Sequence, residues 1–256
     1  NGLKLYAADG AQIVPPADED IAQRISRRPL VSTEDGPDGS GPDGSGPAAA
    51  GSITPLGGPT SSSDAVDRYL RRAAELVGPA LASSLRVVHT SLHGVGDALL
   101  TMALQGVDGV DATPVASQAR PDPDFPTVAS TFPEEPGALD ELLRLAASVD
   151  ADVALALDPD ADRLAVAMPA PGTDDARWTP LTGDQIGALL AEHLLRTTHG
   201  RDRLVVSTLV SSGLVLSMCA EAGVHHAETL TGFKWLCRPG LAHPEWHQLL
   251  LYEEAL

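Results

Sequence analysis

The chain is short of lysine, of cysteine and of long apolar runs, and each shortage excludes something. Its 256 residues hold two lysines, Lys4 and Lys234, against 15 arginines, and 35 acids outweigh 17 bases for a formal charge of −18. With no basic cluster, a nucleic-acid backbone is excluded as the main partner. No apolar run nears the roughly 20 residues that span a bilayer, and no basic, apolar, small-residue leader opens the chain. No membrane partner is expected, and the expected compartment is cytoplasmic. Cys219 and Cys237 have neither CxxC spacing nor a neighbouring ligand cluster, so they read as free thiols in a reducing environment. The Gly-rich loop His93-Gly94-Val95-Gly96 has neither the GK[ST] of a P-loop nor the spacing of a dinucleotide fingerprint. There is no initiating Met, and the sequence stops just after a strand-like run ending in Leu250-Leu251, so both ends are expected to be cut.

What is present is a globular composition, 43% apolar and 20% charged, enough for one large or two ordinary domains. Leu3-Lys4-Leu5-Tyr6 reads as a strand, Asp9-Gly10 as a turn and residues 17–28 as a helix opened by Pro15-Pro16. Gly36-Pro37-Asp38-Gly39-Ser40 is repeated at once as Gly41-Pro42-Asp43-Gly44-Ser45. Such a segment cannot bury apolar surface and marks a linker or insertion over 33–52. Beyond it, Ser63-Asp64 caps a helix with Tyr69, Leu70, Ala73, Leu76 and Val77 at helical spacing. A strand over 85–89, a helix through 102–104, a proline- and acid-rich loop over 121–136 that buries an aromatic or two (Phe125, Phe132), a helix over 137–148 and a strand over 152–157 follow. A third block repeats the theme: a strand over 164–168, a helix from Gly183-Asp184, a strand over 204–210, a helix over 211–222 and a strand or turn over 223–229. This alternation is an α/β layer pattern. The expected segments are 1–32, the insertion 33–52, a domain over 53–180 and another over 181–256.

The strongest chemical signal is Asp158-Pro159-Asp160-Ala161-Asp162-Arg163, placed directly after the buried-strand run ending at Leu157. Three carboxylates spaced two apart in an extended loop can turn toward one point. Converging hard oxygens that still leave coordination positions open describe a Mg²⁺ site awaiting a phosphate ligand. Arg163 adds a planar fork suited to that phosphate. An EF-hand is excluded, because position six from Asp158 is Arg163 and position twelve is Pro169. A haloacid dehalogenase-type phosphatase is a rival, with Asp158 as nucleophile and Asp160 as acid. That arrangement normally opens its domain and has a small hydroxyl residue where Asp162 stands. Ser91-Leu92-His93-Gly94-Val95-Gly96 is a Gly-rich strand-to-helix loop of the kind that lets backbone approach an anion. Thr231-Gly232-Phe233-Lys234-Trp235 and Glu253-Glu254 read on their own as a turn and a solvated charge pair.

Taken together and in order, five stretches resemble the α-D-phosphohexomutases, in the phosphoglucomutase/phosphomannomutase branch that includes phosphopentomutase-like enzymes. They are Asn1-Gly2-Leu3-Lys4-Leu5-Tyr6, the His93 loop, the Asp158–Arg163 loop, Thr231-Gly232-Phe233-Lys234-Trp235 and Tyr252-Glu253-Glu254-Ala255. The resemblance implies tandem α/β domains with mixed sheets, each donating one loop to a cleft. It also implies an intramolecular phosphotransferase acting on a sugar monophosphate, with Mg²⁺ and a sugar 1,6-bisphosphate (or its pentose equivalent) as activator. Asp158, Asp160 and Asp162 would hold the metal against a phosphoserine, and Arg163 would help neutralise that phosphate. His93, Thr231, Gly232, Lys234 and Glu253 would see the substrate. The family's phosphoserine loop, of Ser-His-Asn-Pro type, belongs upstream of Asn1, and its phosphate-clamping domain belongs beyond Leu256. On that ground the 256-residue piece alone is expected to be inactive, and a non-catalytic metal-binding fragment is a further alternative. Many members carry Ser two residues after the Glu, where this chain has Ala255, which leaves glucose, mannose, ribose and deoxyribose phosphates all open.

Overall fold

The computed structural model describes residues 4–27, 64–77, 83–170 and 178–254. The readings on Asn1-Gly2-Leu3, the 33–52 insertion, Ser63 and Ala255 lie outside these residues. The described residues fall in two units, one within 2–57 and the other within 58–256.

In the first unit the strand expected near Tyr6 is a single antiparallel bridge between Tyr6 and Gln12. The Asp9-Gly10 turn forms as the sequence says it should. Gly10 takes φ +81°, and the Asp9 carboxylate accepts the Ala11 N–H at 2.9 Å. Helix α1 (Ala17–Ser26) carries acids in its first turn and Arg24 in its last, complementing its dipole.

The second unit holds two sheets. Helix α2 (Asp64–Val77) precedes β1 (Leu85–Thr90), α3 (Asp97–Gln105), β2 (Val110–Pro114), α4 (Asp140–Ser148), β3 (Val153–Leu157), β4 (Leu164–Pro169) and β5 (Trp178–Pro180). These strands form one mixed sheet in the order β2-β1-β3-β4-β5, parallel across the first three and antiparallel across the last two. Next come α5 (Gly183–Thr197), β6 (Arg203–Thr208), α6 (Leu214–Ala222), β7 (His225–Thr229), α7 (Phe233–Leu236), α8 (Arg238–Ala242) and β8 (His247–Leu251). Among the described residues the second sheet is wholly parallel, in the order β7-β6-β8. Mixed pairing, expected of both sheets, is thus seen in the first.

The central strands are buried because helices cover their faces. Leu142 and Ala146 of α4 pack on Val88, Ala154 and Ala156, with Ala165 and Ala167 continuing the layer on β4. On β6, Val205 joins Ala191, Val215, Cys219 and Tyr252, while Leu204 and Val206 meet Leu236 of α7. That is the period-2 alternation of a strand covered on both sides. A capping box opens α5: Thr182 Oγ1 accepts the Gln185 N–H at 3.3 Å, and Gln185 Oε1 accepts the Thr182 N–H at 2.9 Å. At the other end buried Arg203 donates to the carbonyls of Leu195, Thr198 and Gly200.

Several expectations are corrected. Tyr69 and Leu76 of α2 are 64% and 58% exposed, so only part of the helical stripe is covered. Phe132 is exposed and Phe125 half-buried, so the 121–136 loop buries no aromatic ring fully. Strands β2 and β5 were not anticipated, because neither is a continuous apolar run. The turn at Phe233 is the start of α7. Both cysteines are free, as expected, and burial pushes the Cys219 thiol up to about 11. Among the described residues no helix is long and apolar enough to cross a membrane.

Candidate functional site

Strand β3 ends at Leu157, which pairs with Leu164 of the returning β4, so Asp158 to Arg163 form the connection of an antiparallel hairpin. The reversal needs one left-handed residue, supplied by Ala161 at φ +59°, whose N–H returns to the Asp158 carbonyl at 3.0 Å. Asp158 organises the loop from within. It is 1% exposed, its Oδ1 accepts the N–H groups of Asp162 and Arg163 at 3.1 Å each, and its Oδ2 accepts Arg163 Nε at 3.1 Å. Asp160 and Asp162 project outward, and one carboxylate oxygen from each of the three acids lies within 4.8 Å of the others.

Burial is the main cause of an upward shift of the Asp158 carboxyl. The Arg163 N–H opposes it, and the nearby Asp160 and Asp162 charges add to it. Three close carboxylates in this setting are a charge problem that a divalent cation solves. Arg163 is itself braced from the 121–136 loop. Its guanidinium carbon stands 4.8 Å from the Phe132 ring centre, and its Nη1 is 3.6 Å from Glu134 Oε1. Neither partner was anticipated from sequence. A cation–π partner 31 residues away leaves no local pattern.

The His93 loop docks on this hairpin. Val95 N–H donates to the Pro159 carbonyl at 2.9 Å. A Cβ on Gly94 would lie 2.3 Å from Pro159 Cα, and one on Gly96 would lie 2.8 Å from the Ala161 Cβ, so both glycines are required by close approach. The His93 ring turns inward, 4% exposed, with Nε2 2.9 Å from Thr127 Oγ1 and its edge on Phe125. The geometry makes His93 part of the scaffold behind the loop. Deeper still, His89 and Ser91 are fully buried, and His89 Nδ1 is 3.7 Å from Asp97 Oδ1.

In the second sheet the structure brings Thr231-Gly232 and Glu253 together. Gly232 adopts φ +110°, and its N–H donates to Glu253 Oε2 at 2.7 Å. Thr231 is exposed, and Lys234 is half-buried with Nζ 5.6 Å from the Trp235 ring centre. Glu254, which the sequence singled out only as the neighbour of Glu253, accepts from Thr208 Oγ1 at 2.7 Å and Ser211 Oγ at 2.9 Å. A cavity of about 150 Å³ connects the two halves of the site, with Asp162 and Leu164 on one side and Ile186, Phe233, Tyr252 and Glu253 on the other.

Comparison with known proteins identifies the family. Residues 67–172 match the family model described as phosphoglucomutase/phosphomannomutase, alpha/beta/alpha domain II, and residues 182–244 match domain III of the same family. The chain is 35% identical to a Haemophilus influenzae protein named "Probable phosphomannomutase", over 92% of this chain and 45% of that protein. It is 32% identical to a phosphoglucomutase of Staphylococcus epidermidis, over 100% of this chain and 44% of the relative. With the phosphopentomutase of Mus musculus it shares 35% identity over 92% and 38%. The chain therefore spans less than half the length of these relatives. Among solved structures, a phosphoglucomutase/phosphomannomutase family protein from Burkholderia thailandensis aligns with TM-score 0.57 at 20% identity, over 73% of this chain and 38% of that one. An Aspergillus fumigatus N-acetylphosphoglucosamine mutase, solved in complex with GlcNAc-6P and magnesium, aligns with TM-score 0.50 at 19% identity, over 72% and 38%. Two consecutive domains of one family, matched in order across well over half of the sequence, place this chain in the phosphoglucomutase/phosphomannomutase family.

Proposed function

We propose that the protein is a phosphosugar mutase, and that this chain supplies its metal loop and its sugar-facing loops from two domains divided near residues 180–181. The observation that carries the reading is the cavity shared by Asp162 and Glu253. It joins a triple-carboxylate loop to a carboxylate that already orders the Thr231-Gly232 turn. The donor set fits Mg²⁺, which takes hard oxygens at about 2.0–2.1 Å in an octahedron and keeps positions open for water and phosphate. Oxygens of Asp158, Asp160 and Asp162 would hold it. When bound, the ion would neutralise charge on a phosphoryl group facing the loop.

The chain's own residues do the rest. Asp158 holds the loop through two N–H groups and Arg163. Arg163, braced by Phe132 and Glu134, holds its guanidinium charge at the loop's edge, beside the phosphate that the metal would bind. Glu253 accepts hydrogen bonds, from Gly232 on one side and from sugar hydroxyls on the other. Thr231 and Lys234 face the same substrate, and His93 supports the loop behind the metal. Positioning and charge neutralisation carry most phosphoryl transfer, which is what such an arrangement offers. The phosphoryl group would pass between a phosphoserine and the free hydroxyl of a sugar monophosphate, with a sugar 1,6-bisphosphate as activator.

The test is bisphosphate-dependent interconversion of glucose, mannose and ribose phosphates by the full-length protein with Mg²⁺. Phosphate release without isomerisation would overturn the reading in favour of a phosphatase.

A further inference from the structure

Glu254 follows Glu253 directly, yet the two side chains serve different loops. Glu253 reaches Gly232, beyond the end of β7, while Glu254 reaches Thr208 and Ser211 at the end of β6. One dipeptide just past β8 thus ties together the outlets of the other two strands. Thr208 is fully buried, and its hydroxyl also lies 2.8 Å from Ser211 Oγ. Each hydroxyl has one proton. With both given to Glu254 Oε2, Ser211 Oγ remains an acceptor, and it receives the Thr208 N–H at 3.3 Å. The main chain at Glu254 is confined from the opposite side by α5, because a Cβ on Gly183 would lie 2.1 Å from the Glu254 carbonyl oxygen. Gly187 similarly admits the Tyr252 ring, and Asp184 of the same helix accepts the Ser212 N–H at 2.7 Å. The Glu254 carboxyl is held below its ordinary value by the Thr208 and Ser211 hydroxyls against the effect of burial, so it remains an anion able to accept both.

We propose that Glu254 is a positioning residue: by gripping Thr208 and Ser211 it fixes the end of β8 so that the neighbouring Glu253 stays on Gly232 and presents its carboxylate to the cavity. The mechanical part stands on the hydrogen bonds alone. Its consequence for catalysis rests on the mutase reading. Glu254→Ala removes the grip. Glu254→Gln keeps an acceptor oxygen of the same reach and should rescue, which a role based on charge alone would not allow.

The first readout is the Gly232 amide in ¹⁵N NMR of the 256-residue chain. Glu254→Ala and the isosteric Thr208→Val should each move this resonance and speed its hydrogen exchange at least tenfold. Mn²⁺ affinity at Asp158, Asp160 and Asp162 should stay within twofold, and Glu254→Gln should return the amide to its wild-type position. The Thr208 variant keeps the test open if Glu254→Ala does not fold. The second readout is kinetic, on the full-length protein with glucose 1-phosphate and glucose 1,6-bisphosphate as probes. Glu254→Ala should raise KM about tenfold with kcat changed by less than threefold. An unmoved Gly232 amide in both variants overturns the proposal while leaving the mutase reading intact. If Glu254→Ala moves the amide but Glu253→Gln leaves KM unchanged, the positioning stands and Glu253 loses its place at the sugar.

Discussion

Gly94 offers the sharpest test of how the candidate metal loop is held, because a single methyl group separates two outcomes. A Cβ there would lie 2.3 Å from Pro159 Cα and 2.4 Å from the Pro159 carbonyl oxygen, both backbone atoms with no rotamer to yield. Ordinary carbon contacts are about 3.5–4.0 Å, so Gly94→Ala must part the two loops by more than about 1 Å. Overpacking of this kind costs about 1–3 kcal/mol. Parting the loops also breaks the 2.9 Å bond from Val95 N–H to Pro159, worth about 0.5–1.5 kcal/mol net. The total of about 2–4 kcal/mol should lower the melting temperature by roughly 5–15 °C in a domain of this size. Since Pro159 lies between Asp158 and Asp160, Mg²⁺ affinity measured by calorimetry should also fall at least tenfold. Gly213→Ala is the control: its Cβ meets open space at φ −67°, and stability should stay within about 0.5 kcal/mol. A Gly94→Ala protein as stable as wild type, with Mg²⁺ binding unchanged, would refute the docking of these loops.

Asp160→Asn should weaken Mg²⁺ binding at least tenfold in the same titration while raising stability slightly in metal-free buffer, because it removes one of three mutually repelling carboxylates; equal affinity would reject the site. Arg203→Lys should destabilise by about 2–3 kcal/mol in urea unfolding, since one ammonium cannot serve both the Gly200 carbonyl and the Leu195–Thr198 pair that the guanidinium spans. Burial holds the imidazoles of His89 and His226 below the ordinary value, so their neutral forms are favoured in the fold. That contribution is intact above the unfolded pKa near 6.5 and is lost as pH falls toward the folded values, at up to about 1.4 kcal/mol per pH unit for each group. Asp97, raised by burial, opposes the trend only toward the acid end. Denaturant titrations from pH 7.5 to 5 should therefore show falling stability, with a shallower slope in His89→Gln; an unchanged slope would show that His89 does not titrate as described.

The parts legible in the sequence were those in which one residue type has one physical job. The Asp158 loop was readable because three acids alternate after an apolar run, and the α5 start because Gly183-Asp184 opens a helical pattern. The second sheet's strands were visible in Leu204-Val205-Val206 and Leu249-Leu250-Leu251. What stayed hidden depends on distant partners. His93 resembles a surface histidine until Thr127 and Phe125 are placed over it. Val110–Pro114 is too short and too polar to read as a strand without β1 beside it. Glu254 looked like half of a solvated pair because its hydroxyl partners are 46 and 43 residues away in sequence.

The two sheets also show how one plan yields two kinds of site. In each, the first strand lies between the next two parallel strands, and it ends in a fully buried threonine whose hydroxyl orders the loop that follows. Thr90 Oγ1 accepts the Leu92 N–H at 3.0 Å and donates to Gln118 at 2.6 Å, as Thr208 donates to Glu254. In each, acids stand just past the neighbouring strand, β3 or β8. Their spacing then decides the outcome. Alternate positions 158, 160 and 162, wrapped by the left-handed Ala161, turn three carboxylates to one point and create a demand for positive charge. Adjacent positions 253 and 254 send two carboxylates apart, so each finds N–H or O–H donors on a different loop and no such demand arises. A spacing of two collects charge, and a spacing of one distributes it.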